Sequence, residues 1–221
     1  MNNMKYLASV SLLVFLLLPT AWGQTPDFES TRALADQGDA TAQYNLGNMY
    51  ANGEGVPEND TEAVKWYRLA AEQGHVDAQS YLGFIYSSGE GVPENDTEAV
   101  KWYRLAAEQG HAVAQFHLGI KYSNGEGVPE NDTEAVKWFR LAAEQGVVFA
   151  QYILGLMYAR GEVVPENYVM AYVWFSVAAA RDYEDARGNR DIISKRLTAE
   201  QRAKGQEIAT RCFESGFKDC K

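Results

Sequence analysis

The stretch EGVPENDTEAVKWYRLAAEQGH at Glu54 to His75 returns unchanged at Glu90 to His111. With one change, Phe139 for tyrosine, it runs again from Glu126 to Gly146, and a more diverged copy covers Glu162 to Asp182. Each step is 36 residues long: Trp66, Trp102, Trp138 and Trp174 keep the same interval as Pro57, Pro93, Pro129 and Pro165. Self-similarity at this period is the mark of stacked supersecondary units that bury a continuous core between neighbours.

Each unit carries two helical patterns separated by a turn. Placed at about 100° per residue, positions 42, 43, 46, 47 and 50 share one arc and read Ala, Gln, Leu, Gly and Tyr in all four copies. The opposite arc, positions 41, 44, 45, 48 and 52, varies between copies. The constant arc is therefore expected to do the packing between repeats, and the varied arc is left free. Gly47 and its equivalents Gly83, Gly119 and Gly155 stand mid-helix at a cost of about 1 kcal/mol each relative to alanine. That cost predicts a neighbouring aromatic ring or backbone brought close. In the turn, two glycines and Pro57 break the first helix, and Asn59 or Asp60 offers an N-cap to a second helix over about Thr61 to Gln73. Ala63, Trp66, Tyr67 and Ala70 fall on the buried face of that helix. Lys65, Arg68 and Glu72 fall outside, with Arg68 and Glu72 spaced as a surface pair, and Gly74 sits where a C′ glycine would end the helix.

One full unit reads Ala78, Leu82-Gly83, Tyr86, Gly89, Gly91-Val92-Pro93, Ala99, Trp102-Tyr103, Ala106-Ala107 and Gly110. This pattern resembles the Sel1-like repeat, a relative of the tetratricopeptide repeat with a slightly longer unit. The resemblance implies an all-α, right-handed α-α superhelical solenoid of helix-turn-helix repeats. Its first helices would line a concave groove used for contact with a protein or peptide. The units run 39–74, 75–110, 111–146 and 147–182, preceded by a degenerate half repeat at 24–38. A cysteine-rich branch of the family is linked to penicillin hydrolysis, but it carries a cysteine pair in every repeat, which this chain lacks.

The two ends depart from the pattern. At the N-terminus Lys5, an apolar run from Tyr6 to Leu18 and the small-x-small site Ala21-Trp22-Gly23 read as a cleaved export signal over 1–23. The apolar run is too short for the roughly 20 residues of a spanning helix, so no stable membrane insertion is expected after cleavage. The alternative is an uncleaved N-terminal anchor. Export into a bacterial periplasm or the medium is preferred over an endoplasmic lumen. At the other end, Tyr168 to Ala180 replaces the charged outer positions by Val173, Ser176 and Ala180. A helix apolar on every side needs cover. Residues 183–221, with the capping pair Thr198 and Gln201, are expected to supply it as a helical cap; a homodimer through this end is the alternative to a monomer. Cys212 and Cys220, an even count in an exported chain, are expected to form a disulfide.

Loss of 1–23 leaves 19 basic and 30 acidic side chains, a net charge of −11. Such a surface repels phosphate, so nucleic acid is not expected as a partner. Catalytic and cofactor residues are assigned none. His75 and His111 begin helices and have no ligand partner at metal spacing, and Ser215-Gly216-Phe217-Lys218 spells S-x-x-K without its companion motifs. Asn59-Asp60-Thr61 and its copies fit a glycosylation sequon but also suit a helix start. The candidate partner-binding residues are those of the varied arc: Tyr44, Asn48, Ser80, Tyr81, Phe84, Phe116, His117, Ile120, Phe149, Tyr152 and Leu156. The groove they line is expected to become more apolar toward the C-terminal end. An exported adaptor is the favoured reading; an envelope hydrolase and a binder of cell-wall glycan are the alternatives.

Overall fold

The computed structural model describes residues 27–161 and 163–221, and the proposed signal segment 1–23 lies outside them. The first helix, α1 (Phe28–Asp36), precedes four helical hairpins: α2 (Ala40–Asn52) with α3 (Asp60–Glu72), α4 (Val76–Ser88) with α5 (Asp96–Glu108), α6 (Ala112–Asn124) with α7 (Asp132–Glu144), and α8 (Val148–Arg160) with α9 (Tyr168–Ala179). Two further helices, α10 (Glu184–Ser194) and α11 (Ala199–Glu214), close the chain. Each helix packs on the next in order, except that α11 folds back onto α9. The result is an all-α solenoid of helix-turn-helix repeats with a separate C-terminal end.

Local chemistry sets the boundaries of these helices. Asn59, Asn95, Asn131 and Asn167 are the N-caps of the second helices, each accepting a backbone N–H three residues on. Asp60 is instead the first helical residue, where its charge suits the helix N-terminus. The first helices start on Asp39, His75 and His111, the imidazoles accepting the N–H of Ala78 and Ala114 through Nδ1. Gly74 takes φ +89°, so that the N–H of His75 reaches the carbonyl of Ala70 and that of Gly74 the carbonyl of Ala71, satisfying the last carbonyls of α3. The same bonds recur after α5 and α7.

The constant arc is spent on the joints. Leu46, Leu82, Leu118 and Leu154 are fully buried, and the mid-helix glycines admit an aromatic ring as expected. A Cβ on Gly47, Gly83, Gly119 or Gly155 would lie 2.5–2.8 Å from the ring of Tyr67, Tyr103, Phe139 or Phe175. The invariant glutamines form a ladder. Gln79 Nε2 donates to the carbonyl of Ala71 at 3.0 Å and its Oε1 accepts from Gln109 Nε2 at 2.7 Å. Gln43 with Gln73 and Gln115 with Gln145 repeat the arrangement. Gln151 keeps the first bond, but its Oε1 is unpaired among the described residues: the place of the next glutamine is taken by Arg181, whose guanidinium lies over the Phe217 ring at 5.9 Å instead.

One expectation is corrected. Arg68 does not pair with Glu72 on the surface; it reaches across the joint to donate to the hydroxyl of Tyr86. Arg104 does the same to Tyr122 at 2.8 Å and Arg140 to Tyr158 at 2.9 Å. An arginine on one repeat and a tyrosine on the next thus belong to the joint, which explains why both are constant in these copies.

The apolar α9 is covered by the segment that follows it. Ala186, Ile193 and Leu197 pack into its cluster from one side, and from the other Gly205 of α11 faces the ring of Tyr172. Thr198 and Gln201 form the reciprocal capping box at the start of α11. Cys212 and Cys220 are joined in a disulfide, both sulfurs buried against the cluster that holds Trp174.

Candidate functional site

The varied arc of α2, α4, α6 and α8 carries a run of aromatic rings. Tyr44 stacks on His75 with centroids 4.8 Å apart and leans on Tyr67, whose hydroxyl donates to Asn48 Oδ1 at 2.8 Å. Tyr81 lies 4.8 Å from Tyr67 and 5.9 Å from Phe84. His117 lies flat on Tyr103 at 5.1 Å, its plane within 14° of the phenol ring, and meets Phe116 edge-on. Tyr81, Phe84, Val113 and Phe149 are exposed; Tyr44, Asn48, Phe116, His117, Ile120, Tyr152 and Leu156 are half-buried; Ser80 is buried.

These residues divide into two groups. Tyr44, Ser80, Tyr81, Phe84 and His117 line a single concavity of about 500 Å³ spanning α2, α4 and α6, together with Asp77, Tyr103, His111 and Val113. The second group meets the cap. Tyr183, just before α10, packs on Phe149 at 5.3 Å and on Tyr152 at 5.0 Å, and Asn189 donates to the Tyr152 hydroxyl at 3.0 Å. Ile120 and Leu156 are half-buried against the clusters beneath. The concavity beside Tyr81 and Phe84 therefore lies on the first three repeats, while toward the C-terminal end Tyr183 packs on Phe149 and Tyr152, leaving Phe149 55% exposed and Leu156 at the wall of a second hollow of about 260 Å³. Tyr103, His111 and Tyr183 were not among the sequence candidates. Tyr103 and His111 recur in neighbouring copies, so a criterion based on variation passes over them, and Tyr183 lies outside the varied arc.

Charge on this face is sparse. Asp77 carries the carboxylate, 3.4 Å from His111 Nε2. Burial, and then the nearby Lys121 charge, hold the His117 imidazole below its ordinary pKa, so the ring is neutral at pH 7. Burial pushes the hydroxyls of Tyr67 and Tyr103 far up, so both remain hydrogen-bond donors. Lys121 replaces the Met49, Ile85 and Met157 of the other copies, and its Nζ meets Asp96 at 2.6 Å and Glu126 at 2.8 Å. Its own burial works against the charge, but the two carboxylates outweigh it and raise the ammonium pKa. Lys121 in turn holds Glu126 below the usual carboxylate range, with help from Asn124.

Among the described residues no group of His, Cys, Asp and Glu could hold a metal ion. Ser215 donates its hydroxyl proton to the carbonyl of Cys212 at 2.9 Å and accepts the N–H of Asp219 at 3.0 Å, which shapes the turn after α11. No described helix is long and apolar enough to cross a membrane.

Helical hairpins joined by constant residues at a 36-residue step define an α-helical repeat scaffold of the tetratricopeptide-like type. The chain belongs to the Sel1 repeat family, whose model matches residues 40–75, 76–111, 112–147 and 148–183. It is similar to the crystal structure of a Sel1 repeat protein from Oxalobacter formigenes, at 30% identity over 84% of this chain and 78% of that one, with a TM-score of 0.69. It is also similar to c5321, a protective antigen of uropathogenic Escherichia coli strains displaying an SLR fold, at 31% identity over 86% of this chain and a TM-score of 0.57. The match spans half of that longer chain. No curated protein matches.

Proposed function

We propose that this protein is an exported scaffold that binds a segment of another protein along the varied face of its first helices. One observation carries the reading. On the first helices the constant alanine, glutamine, leucine and glycine of each copy are buried in the joints, whereas Tyr81, Phe84 and Val113 of the varied arc stay exposed around an open concavity. Partly exposed aromatic rings around such a hollow are what an apolar side chain of a partner docks against. The favoured compartment is a bacterial periplasm or the medium. The N-terminal sequence of the mature protein should then begin at Gln24, and a mature protein that begins at Met1 would remove that part of the proposal.

The binding reading is tested by capture from envelope extract with immobilised protein. Phe84→Ala with Tyr81→Ala should abolish capture of whatever the unmodified chain retains, while circular dichroism stays unchanged because both rings are exposed. Phe213→Ala, on the far end, should change nothing. Equal capture by the Phe84/Tyr81 variant would reject this face as the binding surface.

A further inference from the structure

The same pair of carboxylates recurs in successive repeats, once neutralised and once open. In the third repeat Lys121, 7% exposed, projects from α6 and is held by Asp96 at 2.6 Å and Glu126 at 2.8 Å. One repeat earlier the equivalent carboxylates are Asp60 and Glu90, and the place of the lysine is taken by Ile85, 3% exposed. Neither Asp60 nor Glu90 makes an ion pair among the described residues. Between them is a narrow cleft of about 20 Å³ walled by Tyr67, Tyr81 and Ile85. Such a volume admits one water-sized group. An ammonium has that size, and a guanidinium does not. Tyr81 is also a wall of the 500 Å³ concavity, so the cleft opens beside the surface already assigned to binding.

We propose that the cleft between Asp60 and Glu90 is a specificity pocket for a lysine side chain of the bound segment. Its ammonium takes the position that Lys121 Nζ occupies one repeat on, against the faces of Tyr67 and Tyr81. Apolar residues next to that lysine fill the neighbouring concavity. The partner is accordingly a basic segment with lysine beside aliphatic or aromatic residues, which complements a chain of net charge −10. This inference rests on the reading of the varied face as a peptide-binding surface.

The test uses an N-acetylated fluorescent peptide of alternating leucine, lysine and tyrosine, with matched probes carrying acetyl-lysine or arginine in place of lysine. Affinities are read by fluorescence anisotropy for the unmodified chain, for Ile85→Lys and for Asp60→Asn/Glu90→Gln. Ile85→Lys supplies the ammonium from within the chain, as Lys121 does in the next repeat. The lysine probe should bind the unmodified chain about ten-fold or more tighter than either matched probe, the size expected for a charge-assisted contact. Both variants should lose that preference. If Ile85→Lys fails to fold, the Asn/Gln variant decides. Equal binding of lysine and acetyl-lysine probes, lost on Phe84→Ala, would overturn the lysine pocket and leave the wider binding face standing. Absence of binding by every probe would overturn both, and an arginine probe as tight as the lysine one would overturn the size argument.

Discussion

Gly83→Ala should destabilise the protein even though it replaces a mid-helix glycine with the best helix former. In α4 the substitution gains about 0.5–1 kcal/mol of helix propensity. The added Cβ, however, would stand 2.5 Å from Tyr103 Cδ1 and 2.7 Å from Cε1 and Cγ. Carbon atoms rest at about 3.5–4.0 Å, so the ring would have to retreat by about 1 Å. Tyr103 is 1% exposed with His117 stacked on it at 5.1 Å, so the ring can retreat only by pushing that imidazole into the concavity the two border. Overpacking of this kind costs about 1–3 kcal/mol, so the net loss ranges up to about 2.5 kcal/mol. Gly188, in the middle of α10, provides the control, since a Cβ there would meet nothing within 4 Å. Gly188→Ala should keep the propensity gain and stabilise by about 0.5–1 kcal/mol. The two identical chemical changes should thus move the melting temperature in opposite directions, with a gap of about 4–8 °C for a chain of this size. Urea and thermal unfolding followed by circular dichroism measure this, with the urea m-value checking that unfolding remains comparable. A Gly83→Ala midpoint at or above that of Gly188→Ala would refute the claim that the ring fills the space above the glycine.

Other perturbations test separate contacts. His117 is held below its ordinary pKa, so the unfolded chain takes up a proton first; its contribution to stability is intact above about pH 6.5 and is lost as pH falls below it. His117→Phe should flatten that part of the acid dependence, seen as a smaller drop in melting temperature between neutral and mildly acidic buffer. Asn95→Ala removes the side-chain acceptor for the N–H of Glu98 and should cost about 1 kcal/mol in urea unfolding, against a few tenths for Asn95→Gly. Lys121→Met restores the residue type of two other copies, and Asp96 and Glu126 keep 29% and 43% side-chain exposure through which water can solvate them. Stability should therefore change by less than about 1 kcal/mol, and a loss above about 3 kcal/mol would mean that the buried charge is needed. Cys212→Ser/Cys220→Ser opens a loop with sequence separation 8 and should cost about 2–3 kcal/mol in the loop-entropy picture, with faster tryptic cleavage at Lys218 as the local readout.

How legible the chain was depended on how far apart the interacting residues lie. Helix ends were visible because Asn59, Gly74 and the Thr198/Gln201 box act within a few residues of themselves. The aromatic neighbour of Gly47 was also foreseeable, because a glycine retained in mid-helix has to admit something large. The Arg68 to Tyr86 bond was not, since an i,i+4 partner on the same helix competes for attention with one across a joint. The apolar end of the varied arc was identified from Phe116, Phe149, Tyr152 and Leu156, but not its occupation by Tyr183, because the cap follows no repeat register. Lys121 was not singled out at all, because its column belongs to neither arc and its partners Asp96 and Glu126 lie 25 residues before and 5 after it.

The glutamine ladder has a consequence for how such a chain can change. Every rung presents the following unit with the same amide and the same carbonyl, so a further 36-residue segment inserted at Gly110 would find both of its mates already in place. The reach of the molecule can be lengthened like a ruler gaining a division, with the new stretch of surface supplied by whichever side chains the insert carries at its unshared sites. Among the described residues Gln151, with Arg181 in the sequence place of its partner glutamine, breaks the series, and it marks where extension stops and the closing helices take over.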